Sequence, residues 1–138
     1  MVNPLISVII CTHNRACLLR GAIESVTSQD YDADGYEIIV VDNASTDHTR
    51  EVVESFSETA NVRYVYESRL GLNSARNTGW RSASGIFAVF LDDDARAQPG
   101  WLAAIRDGFA ATGGQAVIGG KVDPIWESEQ PEWLSNKL

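Results

Sequence analysis

At 138 residues the chain has room for one domain with a real core, yet it is small for an enzyme that must hold two substrates. Hydrophobic residues make up 44% and charged residues 22%, with four prolines and no long polar tract, which excludes a disordered chain. A formal net charge of -8 without clustered Lys and Arg excludes a nucleic-acid binder, so an anionic ligand would need local help, such as a divalent cation held by carboxylates.

The opening "MVNPLISVIICTHN" lacks the basic region and small-residue cleavage site of a signal peptide, and no apolar run approaches the ~20 residues of a membrane span. Cys11 and Cys17 have no CxxC spacing, so neither a zinc site nor a disulfide framework is indicated. These features point to a soluble, cytoplasmic protein, at most peripheral to the inner membrane face.

"LISVIICT" (5–12) is a β-branched run closed by polar residues, which predicts a central strand covered on both faces. In the following segment Leu18, Leu19, Ala22, Ile23 and Val26 recur at helical spacing before the turn-rich "DYDADG". "YEIIVVDNASTD" repeats the plan, a buried strand to Val41 and then polar residues able to cap a helix over "DHTREVVESF". "NVRYVYE" reads as a third strand, "GLNSARNTGWRSA" as a helix rich in small residues, and "GIFAVFL" as a fourth strand. Pro99 suits the first turn of a helix over "PGWLAAIRDGFA", and "QAVIGG" is expected to form a fifth strand. After Gly120 the periodicity stops in an acidic tail whose Trp126 and Trp133 are expected to pack on the domain or on something outside it. Residues 1–120 therefore read as one core, and 121–138 as a tail or the start of a further region.

Strands alternating with helices imply right-handed crossovers, a mainly parallel sheet, and a ligand crevice beyond the carboxyl ends of the strands. Four strand ends carry polar groups: Thr12, His13 and Asn14; Asp42, Asn43 and Ser45; Arg69; and the run Asp92, Asp93 and Asp94. Such a set suits a nucleotide with a metal-bound diphosphate. The first strand leads into "HNRACLLRG", which holds neither a dinucleotide-binding G-x-G-x-x-G nor a P-loop, so no glycine-rich turn wraps a phosphate there. Bland readings stand beside these: the aspartate run as a solvated turn, Asp42 as an Asx turn or cap, Arg76 as a surface residue or an ion-pair partner, Thr12 as a strand terminus.

Four segments, "SVIICTHNR", "EIIVVDNASTD", "GLNSARNTGW" and "GIFAVFLDDDARAQPGWL", resemble in order and spacing the successive signatures of family 2 glycosyltransferases, over roughly residues 5–120. The resemblance implies the α/β GT-A fold, Rossmann-like, with flanking helices and expected to be incomplete at its C-terminus. It implies an inverting transferase that takes a nucleotide-diphosphate sugar, often UDP-linked, with Mg²⁺ or Mn²⁺. By position it implies Thr12 beside the nucleotide, Asp42 on the base, Arg76 on the nucleotide and diphosphate side, Asp93 on the ribose, and Asp94 on the metal, with Asp92 second at the metal. The general base of such enzymes lies in the more variable second half, and none of Asp123, Glu127, Glu129 or Glu132 sits in a matching motif.

The chain is thus expected to be the donor-binding portion of a longer enzyme or a short relative that binds nucleotide as a noncatalytic or assembly module. The acceptor, whether glycan, lipid or small molecule, and self-association into a homo-oligomer stay open. A metal-dependent phosphohydrolase with an aspartate nucleophile ranks below both, because its acids would follow the first strand, where Thr12, His13 and Asn14 stand.

Overall fold

The continuous apolar runs fold as a four-stranded, all-parallel sheet in the order β3-β2-β1-β4, in a computed structural model that describes residues 5–57 and 61–129. The strands are β1 (Ile6–Thr12), β2 (Tyr36–Asp42), β3 (Val62–Tyr66) and β4 (Phe87–Asp92); the helices are α1 (Ala16–Thr27), α2 (Thr49–Ser57), α3 (Leu72–Ser82) and α4 (Trp101–Ala111). The two central strands are the most apolar because both their faces are covered.

Side chains alternate across a strand, so the two faces sort by residue parity. Ile6, Val8, Ile10, Ile38 and Val40 pack with Leu19, Ile23 and Val26 of α1, Val52 and Val53 of α2, and Leu102 of α4. Ile9, Ile39 and Val41 face the other way, onto Ala75 of α3. That side is thin, and small residues in α3 make it so. A Cβ at Gly79 would collide with Ile9 Cγ2 and press on Val41.

From β1 the chain winds outward to β2 and β3, then returns across the sheet to place β4 on the other side of β1. The reversal between β1 and β4 opens a crevice beyond their carboxyl ends. Among the described residues no helix is long and apolar enough to cross a membrane.

Two expectations differ from the structure. Residues 115–120 form no strand; Val117 is fully exposed and Ile118 instead leans on Gly108 of α4. A strand needs an edge for its amides and carbonyls, and this segment pairs with none. Pro99 lies outside α4 rather than in its first turn, because Gly100 takes a left-handed conformation (φ 80°) and the helix starts at Trp101. Trp126 remains 43% exposed, and Trp133 lies outside the described residues.

Candidate functional site

Parallel register sets the strand ends level: Thr12 pairs with Asp42, Cys11 with Asp92, and Asp42 with Tyr66. The loops that follow are knitted together. His13 Nδ1–H donates to Asn43 O at 2.7 Å, Asn14 N–H donates to Ser45 Oγ at 2.9 Å, and Asn14 Oδ1 accepts from Thr46 N at 2.7 Å. Asp47 Oδ2 accepts from Ala16 N, the first residue of α1. Asn43 clasps the next loop, donating to the carbonyls of Glu67 and Arg69 and accepting from Gly71 N. Among the described residues, Asn14 (φ 53°) and Ala44 (φ 57°) are the non-glycine residues with positive φ, and both stand in these interlocked loops, where surrounding bonds hold a costly backbone in place.

The three consecutive aspartates have three environments. Asp93 is buried, with Oδ2 accepting from Thr12 Oγ1 at 2.8 Å and Oδ1 from Arg15 Nη1 at 2.9 Å. Burial pushes its carboxyl above the usual aspartate range; Thr12 and Arg15 oppose that, while Asp94 and Asp92 add to it. Asp94 is half-exposed and its Oδ2 accepts from Arg15 Nη2 at 2.9 Å. Asp92 is the most open, with Arg76 Nη2 at 3.6 Å from its Oδ1.

These groups line a cleft of about 380 Å³, with Thr12, His13, Asn43 and Arg76 around the acids and Cys11 at the end of β1. Burial, partly offset by Arg76, pushes the Cys11 thiol up to about 11, so at neutral pH it is a protonated wall and not a nucleophile. Thr12, Arg76, Asp92, Asp93 and Asp94 are therefore brought to one cavity. Asp42 stands beside it: its Oδ1 accepts from Ser45 N at 2.9 Å, the Asx turn that its sequence also suggested, and its Oδ2 accepts from Tyr64 OH at 2.7 Å. Burial and this bond to Asp42 both push the Tyr64 phenol upward. Arg69 serves through its backbone, its carbonyl accepting from Asn43.

Arg15 was not singled out by sequence reasoning, although it ends the polar run after the first strand. Its acidic partners lie 78 and 79 positions further along the chain. Among the described residues, no three His, Cys, Asp or Glu side chains form a ready-made cation cage.

A parallel sheet whose order reverses beside a cleft of carboxylates and arginines defines an α/β domain of the kind that binds ligands at its switch point. The chain matches the model for glycosyl transferase family 2 over residues 7–137 and belongs to that family, with the GT-A fold. It is 36% identical over 117 residues to validoxylamine A glucosyltransferase of Streptomyces hygroscopicus, covering 83% of this chain and 28% of that protein. It is 37% identical over 122 residues to glycosyltransferase AglE of Haloferax volcanii, covering 87% and 40%. Among solved structures, the mannosyltransferase PcManGT from Pyrobaculum calidifontis, in complex with GDP-Man and Mn²⁺, superposes with a TM-score of 0.72 at 35% identity, over 80% of this chain and 33% of that one. S. aureus TarS in complex with UDP gives the same TM-score at 27% identity, over 77% and 32%.

Proposed function

We propose that this chain is the donor-binding portion of an inverting glycosyltransferase that moves a sugar from a nucleotide-diphosphate sugar, UDP-linked, to an acceptor hydroxyl. The observation that carries this reading is the graded trio at the switch point: Asp93 buried beside Thr12, with Asp94 and Asp92 opening onto the same cleft. Asp93 and Thr12 would receive the ribose and the nucleotide. Arg76, half-exposed beside Asp92, would extend to the diphosphate. Asp42 would take the base, since each carboxylate oxygen accepts more than one hydrogen bond and Tyr64 and Ser45 supply one apiece.

Asp94 and Asp92 offer hard oxygen donors suited to Mg²⁺ or Mn²⁺, ions that are held by one or two carboxylates and complete their shells with substrate oxygens and water. When bound, such an ion would offset, as a Lewis acid, the charge that grows on the departing diphosphate. Thr12 Oγ1 holds the Asp93 carboxylate in place, so that group would need little reorganisation in the reaction. Transfer would then break the bond from anomeric carbon to phosphate oxygen, the nucleoside diphosphate leaving, while the acceptor oxygen attacks from the opposite face with inversion and gives its proton to a general base on the acceptor side.

UDP with Mn²⁺ tests the reading. At a hundredfold excess over Kd, a ligand selective for the folded chain stabilises it by about 2.7 kcal/mol, roughly 10 °C in Tm for a domain of this size. No rise with the two together, at millimolar concentrations, would overturn the reading.

A further inference from the structure

We infer that Arg15 is a built-in counterion that holds Asp94 until a divalent cation takes its place. The inference rests on the reading of Asp94 as a cation ligand. Arg15 divides its guanidinium between two acids, with Nη1 on Asp93 and Nη2 on Asp94, both at 2.9 Å. A cation on Asp94 would need the side chain that Arg15 now engages, so the two positive groups compete for one carboxylate.

The two halves of this clasp are unequal. Asp93 is buried and keeps a second donor, Thr12 Oγ1, so its orientation outlasts the departure of Arg15. Asp94 has the guanidinium as its hydrogen-bond donor and is half-exposed, as is Arg15 itself. Exposed ion pairs are worth little and break readily. The Arg15 backbone, in contrast, is fixed: its carbonyl accepts from the amides of Leu18 and Leu19 in the first turn of α1, and Ala16 N is held by Asp47. Release is therefore a side-chain rotation about a rigid anchor, a fast motion that leaves the loop intact. Arg76 differs, meeting the open Asp92 at 3.6 Å across the cleft. Arg15 thus acts as a positioning residue: it keeps the adjacent like charges of Asp93 and Asp94 compatible and sets a threshold for cation entry.

Mn²⁺ binding to the full chain without nucleotide, followed by electron paramagnetic resonance of the free ion, tests this. Removing a unit positive charge beside the ligand should tighten Mn²⁺ about tenfold in Arg15→Gln, and Arg15→Lys, which restores the charge, should return to the wild-type affinity. Asp94→Asn should abolish binding. If Asp94→Asn does so while Arg15→Gln leaves Mn²⁺ affinity unchanged or weaker, the counterion role is overturned and the Asp94 site stands. If Asp94→Asn binds like wild type, both fail; if neither wild type nor Arg15→Gln binds Mn²⁺ without nucleotide, the counterion role is overturned, because removing Arg15 has not opened the site. Arg15 makes no side-chain cap to α1, but Arg15→Gln takes a charge-assisted donor from the buried Asp93, so it should stay folded while melting roughly 4–12 °C lower, and binding is compared well below that melting range.

Discussion

Opposite ends of the same sheet bury carboxylates, and Glu37 at one end and Asp93 at the other are treated in opposite ways. Near the amino ends of the strands, Glu37 accepts from Ser7 Oγ at 2.6 Å, from Ser84 N at 2.8 Å and Ser84 Oγ at 2.6 Å, with Arg63 Nη2 at 3.3 Å. Burial alone would raise its carboxyl, yet these donors and the Arg63 charge hold it below the usual glutamate range. At the carboxyl ends Asp93, equally buried, has two donors and two acidic neighbours, and stays above the usual aspartate range. Glu37 is a closed account of charge that locks β2 to β1, β3 and the turn before β4. Asp93 is left short of positive charge, which a structural site avoids and a binding site uses.

The contrast can be broken or sharpened by substitution. The largest effect is expected at the carboxyl end: Asp94→Ala should lower nucleotide-sugar turnover by about 10²–10³ while moving Tm by less than about 2 °C, because its exposed ion pair contributes little. Comparing initial rates with melting curves checks both halves. Glu37→Gln should do the reverse. Its amide would point donors at Ser84 N–H or the serine hydroxyls, costing about 1–3 kcal/mol, roughly 4–12 °C, while UDP affinity stays within about twofold.

The two acids should also answer pH in opposite directions. Glu37 has a folded value below its ordinary value of 4.5, so its stabilisation is present above that pH and is lost as pH falls through the folded value. Asp93 has a folded value above its ordinary 3.8, so the protonated carboxyl favours folding below that pH and the contribution disappears as pH rises through the folded value. Asp93→Asn should therefore equal or exceed the wild-type Tm at pH 7, and Glu37→Gln should lose its deficit towards pH 3. Smallest is Tyr64→Phe, which removes one donor from Asp42 and should cost about 1 kcal/mol in chemical denaturation, with at most a few-fold change in UDP affinity.

The legible parts of the fold were those set by local pattern. Apolar runs such as "SVIIC" and "IIVVD" marked buried parallel strands, and their polar ends marked the crevice. Edge pairing is a tertiary property, so the apolar residues of "QAVIGG" could not reveal that the segment would find no strand beside it. A single left-handed glycine, Gly100, moved the start of α4 past Pro99. Both bland readings of Arg76 hold, since it is half-exposed and lies 3.6 Å from Asp92. The Arg15 clasp and the Tyr64 bond to Asp42 escaped because they join residues far apart in sequence.

Calorimetric titration of UDP with and without Mn²⁺, on wild type, Asp94→Asn and Glu37→Gln in parallel, bears most directly on the cleft as a donor and cation site. Binding should be tight with Mn²⁺ in wild type and in Glu37→Gln, and weaker by about 100-fold or more without Mn²⁺ or in Asp94→Asn. UDP binding that ignores both Mn²⁺ and the loss of the Asp94 carboxylate would contradict the account.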